Sequence, residues 1–298
     1  MPKVNASSLV AAAITGAVFV LSAAPALAAV QCNTKGGFPA FLTEFKKDAT
    51  KQGISKRGLS ALDGVTVDDG VLAADRSQKV FKQTFEQFSA RMISRDRLAK
   101  AAQLMKQHAS TIKAIEQKYG VPGGVVVAIW GLETDYGVNQ GKLSVVRSVA
   151  TLAYDCRRTD KFQGELLDAL RIVDRGDMAS ADMKGDWAGE IGQTQFLPSS
   201  YVKYATTLDG RGKADLIRNS ADVLASTANY LKSKGWQRGQ GWGPGQPNFD
   251  VIKEWNKADV YARTIALFGQ KLEGNVVHAE TTGDAKVANN APSKPKKH

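Results

Sequence analysis

A mainly α fold is predicted by three observations. From Leu98 to Tyr119, apolar residues (Leu98, Ala101, Met105, Ala109, Ile112, Ile115, Tyr119) recur at three- and four-residue steps, the period of a helix with one buried face. Further apolar stretches of helical length lie at 122–132, 162–173, 221–232 and 261–272. The connections between them are glycine-rich: 185–195, 209–212 and 235–245. With 298 residues, 43% hydrophobic and 23% charged, the chain can bury a sizeable core. That composition excludes a mostly disordered chain and a multi-span membrane protein.

Residues 1–28 read as a signal peptide. Lys3 supplies the positive start, Leu9 to Leu21 the apolar run, and Ala26-Leu27-Ala28 the cleavage site. The run is shorter than the ~20 residues a spanning helix needs, although an uncleaved anchor is the other reading. Gln31 precedes Cys32, so the small residue of a lipoprotein box is missing and no stable membrane anchor is expected. The predicted compartment is the periplasm. There, two cysteines, Cys32 and Cys156, are expected to bond; two separately buried thiols are the alternative. With histidines only at 108, 278 and 298, neither a Cys-type zinc site nor a Ser/His or Cys/His base is available. No metal and no cofactor is predicted.

The first helical region runs from 35 to 118. Phe81, Phe85 and Phe88 fall on one helix face and read as core. Ser94 is a fitting N-cap for the periodic segment ending at Tyr119, and Gly120 a fitting stop. Pro122 then opens Val125-Val126-Val127-Ala128-Ile129-Trp130-Gly131-Leu132, apolar on all sides. Length and the leading proline favour a buried helix, and the three consecutive valines keep a buried strand open. After about Gly274 the chain turns polar, and 275–298 is expected to be a disordered basic tail.

Glu133 breaks its local pattern by following that apolar run. Burial and the negative end of a helix dipole both disfavour its charged form and raise its pKa. A carboxylic acid still protonated near neutral pH can protonate a glycosidic oxygen; a glutamate pointing into water from a helix end is the plain alternative. Asp135, two residues on, does not share a helix face with it and reads as a loop or capping residue. A second cluster, from Gly185 to Tyr201, mixes small residues with Trp187, Gln193, Gln195, Phe196 and Tyr201. Aromatic faces and amides of this kind suit a sugar cleft. A structural loop leading into a helix capped at Ser199 or Ser200 is the other reading.

Three stretches, A-I-W-G-L-E-T-D-Y-G (128–137), W-A-G-E-I-G-Q-T-Q-F-L-P-S-S-Y (187–201) and A-N-Y-L-K-S-K-G-W (228–236), closely resemble the lytic murein transglycosylases of the membrane-bound B type. The resemblance runs from about Cys32 to Leu272. It implies a catalytic module over 29–274, with a lysozyme-like core at 119–248 and C-terminal helices at 249–274. It further implies binding of peptidoglycan glycan strands and β-1,4 cleavage between N-acetylmuramic acid and N-acetylglucosamine, leaving 1,6-anhydromuramic acid ends. Glu133 matches the family's acid/base. Gln195, with Phe196 beside it, matches an amide ligand of the sugar; Tyr230 matches a cleft tyrosine; Arg157 and Arg158 match an arginine pair near peptide and saccharide groups. Trp255-Asn256 matches an aromatic–Asn pair, which makes Asn256 a binding candidate.

The chain also departs from the family. Some relatives carry a calcium loop where Arg211 and Lys213 here place cations beside Asp209, so no calcium is expected. Asp186 stands where relatives often have serine, and Glu190 adds a second acid nearby. The loop with Trp236 and Trp242 reads equally as a cleft wall or as a plain connection. A net charge of +11 suits an anionic polymer such as peptidoglycan. Nucleic acid is disfavoured for an exported chain without a recognition motif. A hydrolytic muramidase and a non-catalytic peptidoglycan-binding protein remain the alternatives.

Overall fold

The computed structural model describes residues 30–77 and 83–274, and these form thirteen α-helices and one two-stranded ribbon. The expected signal peptide at 1–28, the expected disordered tail at 275–298 and Phe81 lie outside the described residues. In chain order come α1 (Gly37–Lys51), α2 (Lys56–Leu59), α3 (Asp69–Arg76), α4 (Phe85–Met92), α5 (Arg95–Gln107), α6 (Ala109–Tyr119) and α7 (Gly123–Thr134). Strand β1 (Leu143–Ser144) leads into α8 (Val145–Tyr154) and α9 (Thr159–Asp174). β2 (Lys184–Gly185) pairs back antiparallel on β1, and α10 (Pro198–Tyr204), α11 (Ser220–Ser233), α12 (Phe249–Trp255) and α13 (Asp259–Leu272) follow.

The valine run is helix, not strand. α7 is buried from Gly123 to Leu132 because α5, α6, α11 and α13 pack around it. Its N-terminal cap is Pro122, whose ring carries no acceptor for the free N–H groups. Carboxylates from other elements serve instead: Gly123 N donates to Glu116 Oε1 (2.8 Å) and Gly124 N to Glu273 Oε1 (2.6 Å). Both acids sit where the helix dipole favours negative charge. Against α13 the approach is close: a Cβ on Gly124 would stand 2.8 Å from the Gly269 carbonyl oxygen. Around this helix one apolar core extends from Phe38 in α1 to Phe268 in α13.

Ser94 caps α5 by accepting from Arg97 N, and Gly120 ends α6 in the left-handed region at φ 72°. Between them the structure corrects the single periodic helix into two, broken at His108. The hydrogen-bond ladder passes through the break, since His108 N donates to Leu104 O and its own carbonyl accepts from Ile112 N, both at 2.9 Å. Periodicity therefore continues while the backbone bends at φ −101°, ψ 20°, with the His108 ring edge-on to Trp130. Capping of α10 at Ser199 or Ser200 is likewise corrected. The cap is Leu197 with Pro198 in the first turn, and Ser199 instead bonds Glu165 through its N–H (2.9 Å) and hydroxyl (2.8 Å).

Cys32 and Cys156 form a disulfide, 5.2 Å apart at Cα. It ties the start of the chain to the end of α8. The 235–245 loop is anchored from within the protein as it connects α11 to α12. Trp236 is buried and packs near Trp242, and the buried Asn248 holds the loop by accepting from Gln237 N (2.8 Å) and donating to Gln237 O and Gln240 O (2.9 Å each).

Candidate active site

Glu133 occupies the last turn of α7, next to Thr134. The helix stops there because Asp135 and Tyr136 both take left-handed backbone angles, φ 54° and 63°. Asp135 is the C-cap, held by Arg97 Nε at 3.4 Å, so it turns to α5 and forms no pair with Glu133. The partly buried Glu133 carboxyl accepts two hydrogen bonds on one oxygen, Oε1, from Trp255 Nε1 and Tyr261 Oη, each 2.9 Å. Burial pushes its pKa up to about 7, against the two donors that favour the carboxylate and with the negative charge of Asp186 adding to the rise.

A pocket of about 200 Å³ opens on this carboxyl, floored by Glu190, Gln195 and Phe196 and walled by Tyr230, Trp255 and Asn256. The wall is an aromatic cluster. Trp255 meets Tyr230 edge-on at 5.0 Å between ring centroids, and Phe196 lies 5.5 Å from Trp255. Tyr230 donates its hydroxyl to Glu254 O (2.8 Å), which fixes its ring. Gln195 is held at φ 54° with its amide nitrogen donating to Gly192 O (2.8 Å) and Gln140 O (3.3 Å). The amide oxygen is the group it offers to a ligand N–H or O–H. Asn256 caps α12 and accepts from Ala258 N at 3.0 Å.

The floor loop is locked to α7 by Gln193. Its side chain accepts from Trp130 Nε1 (2.8 Å) and donates to Ile217 O (3.0 Å), and its carbonyl accepts from Thr134. Two isolated bridges, Gly185–Ile191 and Ile191–Phe196, fold the loop back on itself. A Cβ at Gly185 would fall 1.8 Å from Glu190 O, so only glycine fits.

Of the residues predicted from sequence, the pocket gathers Gln195, Phe196, Tyr230 and Asn256 around Glu133. Arg157 and Arg158 stand outside its lining. Both grip the buried Asp75 of α3: Arg157 Nε donates to Asp75 Oδ2 at 2.7 Å, and Arg158 pairs with Oδ1. A larger cavity of about 540 Å³ holds none of the predicted residues. Two of its cations are engaged within the protein, Arg218 on Asp215 and Lys213 on the Arg175 and Gly176 carbonyls. In the 207–213 loop, Asp209 likewise accepts from Arg211 N and Nε.

The transglycosylase SLT domain family matches residues 37–245, a span that contains Glu133 and the whole floor loop. The chain belongs to that family. Membrane-bound lytic murein transglycosylase B of Escherichia coli (strain K12) is 33% identical over 169 residues, 54% of this chain and 46% of that protein, so the chain spans about half the length of this relative. Among solved structures, SltB3 from Pseudomonas aeruginosa in complex with NAG-NAM-pentapeptide superposes with a TM-score of 0.75 at 31% identity over 80% of each chain. The Escherichia coli lytic transglycosylase Slt35 in complex with bulgecin A gives a TM-score of 0.69 at 26% identity, covering 79% of this chain and 93% of that one. The SLT-domain fold is mainly α with a lysozyme-like core, as its sequence predicts.

Sequence reasoning did not bring two further side chains of this SLT-domain protein to Glu133. Tyr261 reads only as the first apolar residue of the last helix, although a buried tyrosine hydroxyl needs a partner. Glu190 reads as an extra acid, whereas it lines the pocket beside Glu133.

Proposed function

We propose that the protein is a periplasmic lytic transglycosylase, cleaving the β-1,4 bond from N-acetylmuramic acid to N-acetylglucosamine with Glu133 as its single acid/base. The observation that carries this reading is the Glu133 carboxyl, which faces the pocket with its pKa raised to about 7. Such a group holds a proton at neutral pH and gives it up at little cost, which suits both halves of the reaction.

In the first half, Glu133 donates its proton to the glycosidic oxygen, the C1–O4 bond breaks, and positive charge develops at the muramoyl C1. In the second, the Glu133 carboxylate takes the proton of the same sugar's C6 hydroxyl, and O6 attacks C1 to close the 1,6-anhydro ring. The nucleophile belongs to the substrate, so no second carboxylate is needed to position water. Trp255 and Tyr261 donate to the carboxylate as it forms and keep Oε1 in place; they hold the group without holding its proton. Gln195 offers an amide oxygen to a sugar hydroxyl or acetamido N–H, with Asn256 beside the same site. Tyr230 and Phe196 with Trp255 give the pyranose an apolar wall.

Support for the substrate class comes from the family and from SltB3, whose structure is a complex with NAG-NAM-pentapeptide. The cationic excess suits a polymer rich in carboxylates. Arg157 and Arg158 stay partly exposed while paired with Asp75, and we assign them the peptide carboxylates of that polymer. The signal-like residues 1–28 support a periplasmic site. No helix among the described residues is long and apolar enough to cross a membrane.

The test is a digest of purified sacculi by the wild type and Glu133→Gln, read by mass spectrometry. Anhydro-muropeptides from the wild type alone are expected. Reducing-end products would make it a hydrolase, and sacculus binding without products a binding protein.

A further inference from the structure

The floor loop sets two acids against each other beside Glu133. The antiparallel bridge between Gly185 and Ile191 makes Asp186 and Glu190 the next opposed pair, with Trp187 to Gly189 closing the hairpin. Directly opposed residues of an antiparallel pair carry their Cβ atoms roughly 5 Å apart, and like charges there repel. Two carboxyls so placed hold one proton between them.

The loop decides where that proton sits. Burial raises the Asp186 carboxyl above its ordinary value, but Oδ1 accepts from Ala188 N at 2.8 Å, an Asx turn, and the Gly189 and Glu190 backbone N–H groups also oppose that rise by favouring the charged form. Glu190 has no such donors and faces the pocket. Burial pushes it well above the ordinary carboxylate range, with Asp186 and Glu133 adding to the rise and Lys161 of α9 opposing it. The other polar groups on Glu133 are Trp255 and Tyr261, and the charge of Arg97 of α5 acts on Tyr261.

We propose that Asp186 and Glu190 share one proton, carried on Glu190, and that the remaining negative charge on Asp186 is a positioning charge keeping the Glu133 carboxyl in its proton-bearing form. This rests on the reading of Glu133 as the acid. Asp186 then acts through Glu133 and touches no substrate, and Glu190 shields a charge that would otherwise meet the sugar.

The experiment titrates Glu133 directly, by carbon NMR of the protein labelled at glutamate carboxyl carbons, with Glu133→Gln identifying the resonance. Asp186→Asn keeps the acceptor for Ala188 N–H and removes the charge, so the Glu133 midpoint is expected to fall by roughly one pH unit. Glu190→Gln keeps the donor to Asp186 and leaves the charge in place, so the midpoint is expected to stay. Asp186→Ser, neutral and smaller, repeats the first result if the asparagine variant does not fold. An unmoved midpoint in the neutral Asp186 variants overturns the proposal, as does an equal fall in Glu190→Gln. Because this readout needs no turnover, it is independent of the sacculus digest: a wild type without products would end the functional reading, and an unmoved midpoint the charge pair.

Discussion

Replacing Glu133 by glutamine is expected to stabilise the protein while abolishing its chemistry. In the folded state the carboxyl titrates at about 7 instead of its ordinary 4.5. The native protein therefore binds more protons than the unfolded chain between those two values. By linkage, the contribution of Glu133 to wild-type stability is complete below about pH 4.5 and is lost as pH rises through about 7. At about 1.4 kcal/mol per pH unit, the loss attributable to Glu133 reaches roughly 3 kcal/mol above pH 7. Glutamine mimics the protonated acid: its Oε1 still accepts from Trp255 and Tyr261, and it never ionises. The variant should match the wild type near pH 4 and exceed it by roughly 3 kcal/mol at pH 8. That amounts to several degrees in Tm for a fold of this size. Urea unfolding with the disulfide intact, run for both proteins from pH 4 to 8.5, gives the difference at each pH. A difference that stays flat, or that falls with pH, would refute the raised pKa and with it the physical basis for Glu133 as an acid.

Three further outcomes follow from the same geometry. Tyr261→Phe removes one of two donors to Glu133 Oε1, so the carboxylate is less favoured and the upper limb of the kcat/KM profile should move to higher pH, by roughly half a unit to one unit; a pH series on soluble glycan strands reads it. Reducing Cys32–Cys156 opens a loop with a sequence separation of 124 and should lower unfolding stability by roughly 4–5 kcal/mol in the chain-entropy model, measured by urea melts with and without reductant. Gly124→Ala pushes a methyl against the Gly269 carbonyl and the Glu273 carboxylate that caps α7, and calorimetry should show about 1–3 kcal/mol of destabilisation.

Local signals made much of the fold readable. α7 announced itself through an apolar run with a proline in front, and α5 and α6 through Ser94 and Gly120 at their outer ends. Glu133 was readable because a single acid after eleven apolar or small positions conflicts with its surroundings. His108 was not, since the hydrogen-bond ladder crosses the break and leaves the periodicity intact. The contact of Tyr261 with Glu133 spans 128 positions, and that of Trp255 spans 122; no local pattern encodes such a meeting. Arg157 and Arg158 follow the same rule, because Asp75 lies 82 positions from the first of them. Asp186 and Glu190 are close in sequence, yet their opposition depends on the Gly185–Ile191 bridge, which is a matter of register.

The site is organised around one unfavourable placement. A helix buried on every side can hold its apolar residues anywhere, but its terminal acid only where other elements accept a carboxyl. α12 and α13 bring the two donors, and the floor loop brings Asp186, which acts in the opposite direction. Donors alone would hold the group as a carboxylate, able to take a proton and unable to give one. Burial and the neighbouring charge alone would hold it as a fixed acid. With the two sets opposed, the proton's affinity lies close to neutral pH, which suits the proposed role of one group that donates in the first half of the reaction and accepts in the second. The instability that this arrangement brings above pH 7 is the physical counterpart of that double role, and a variant that removes one should remove the other.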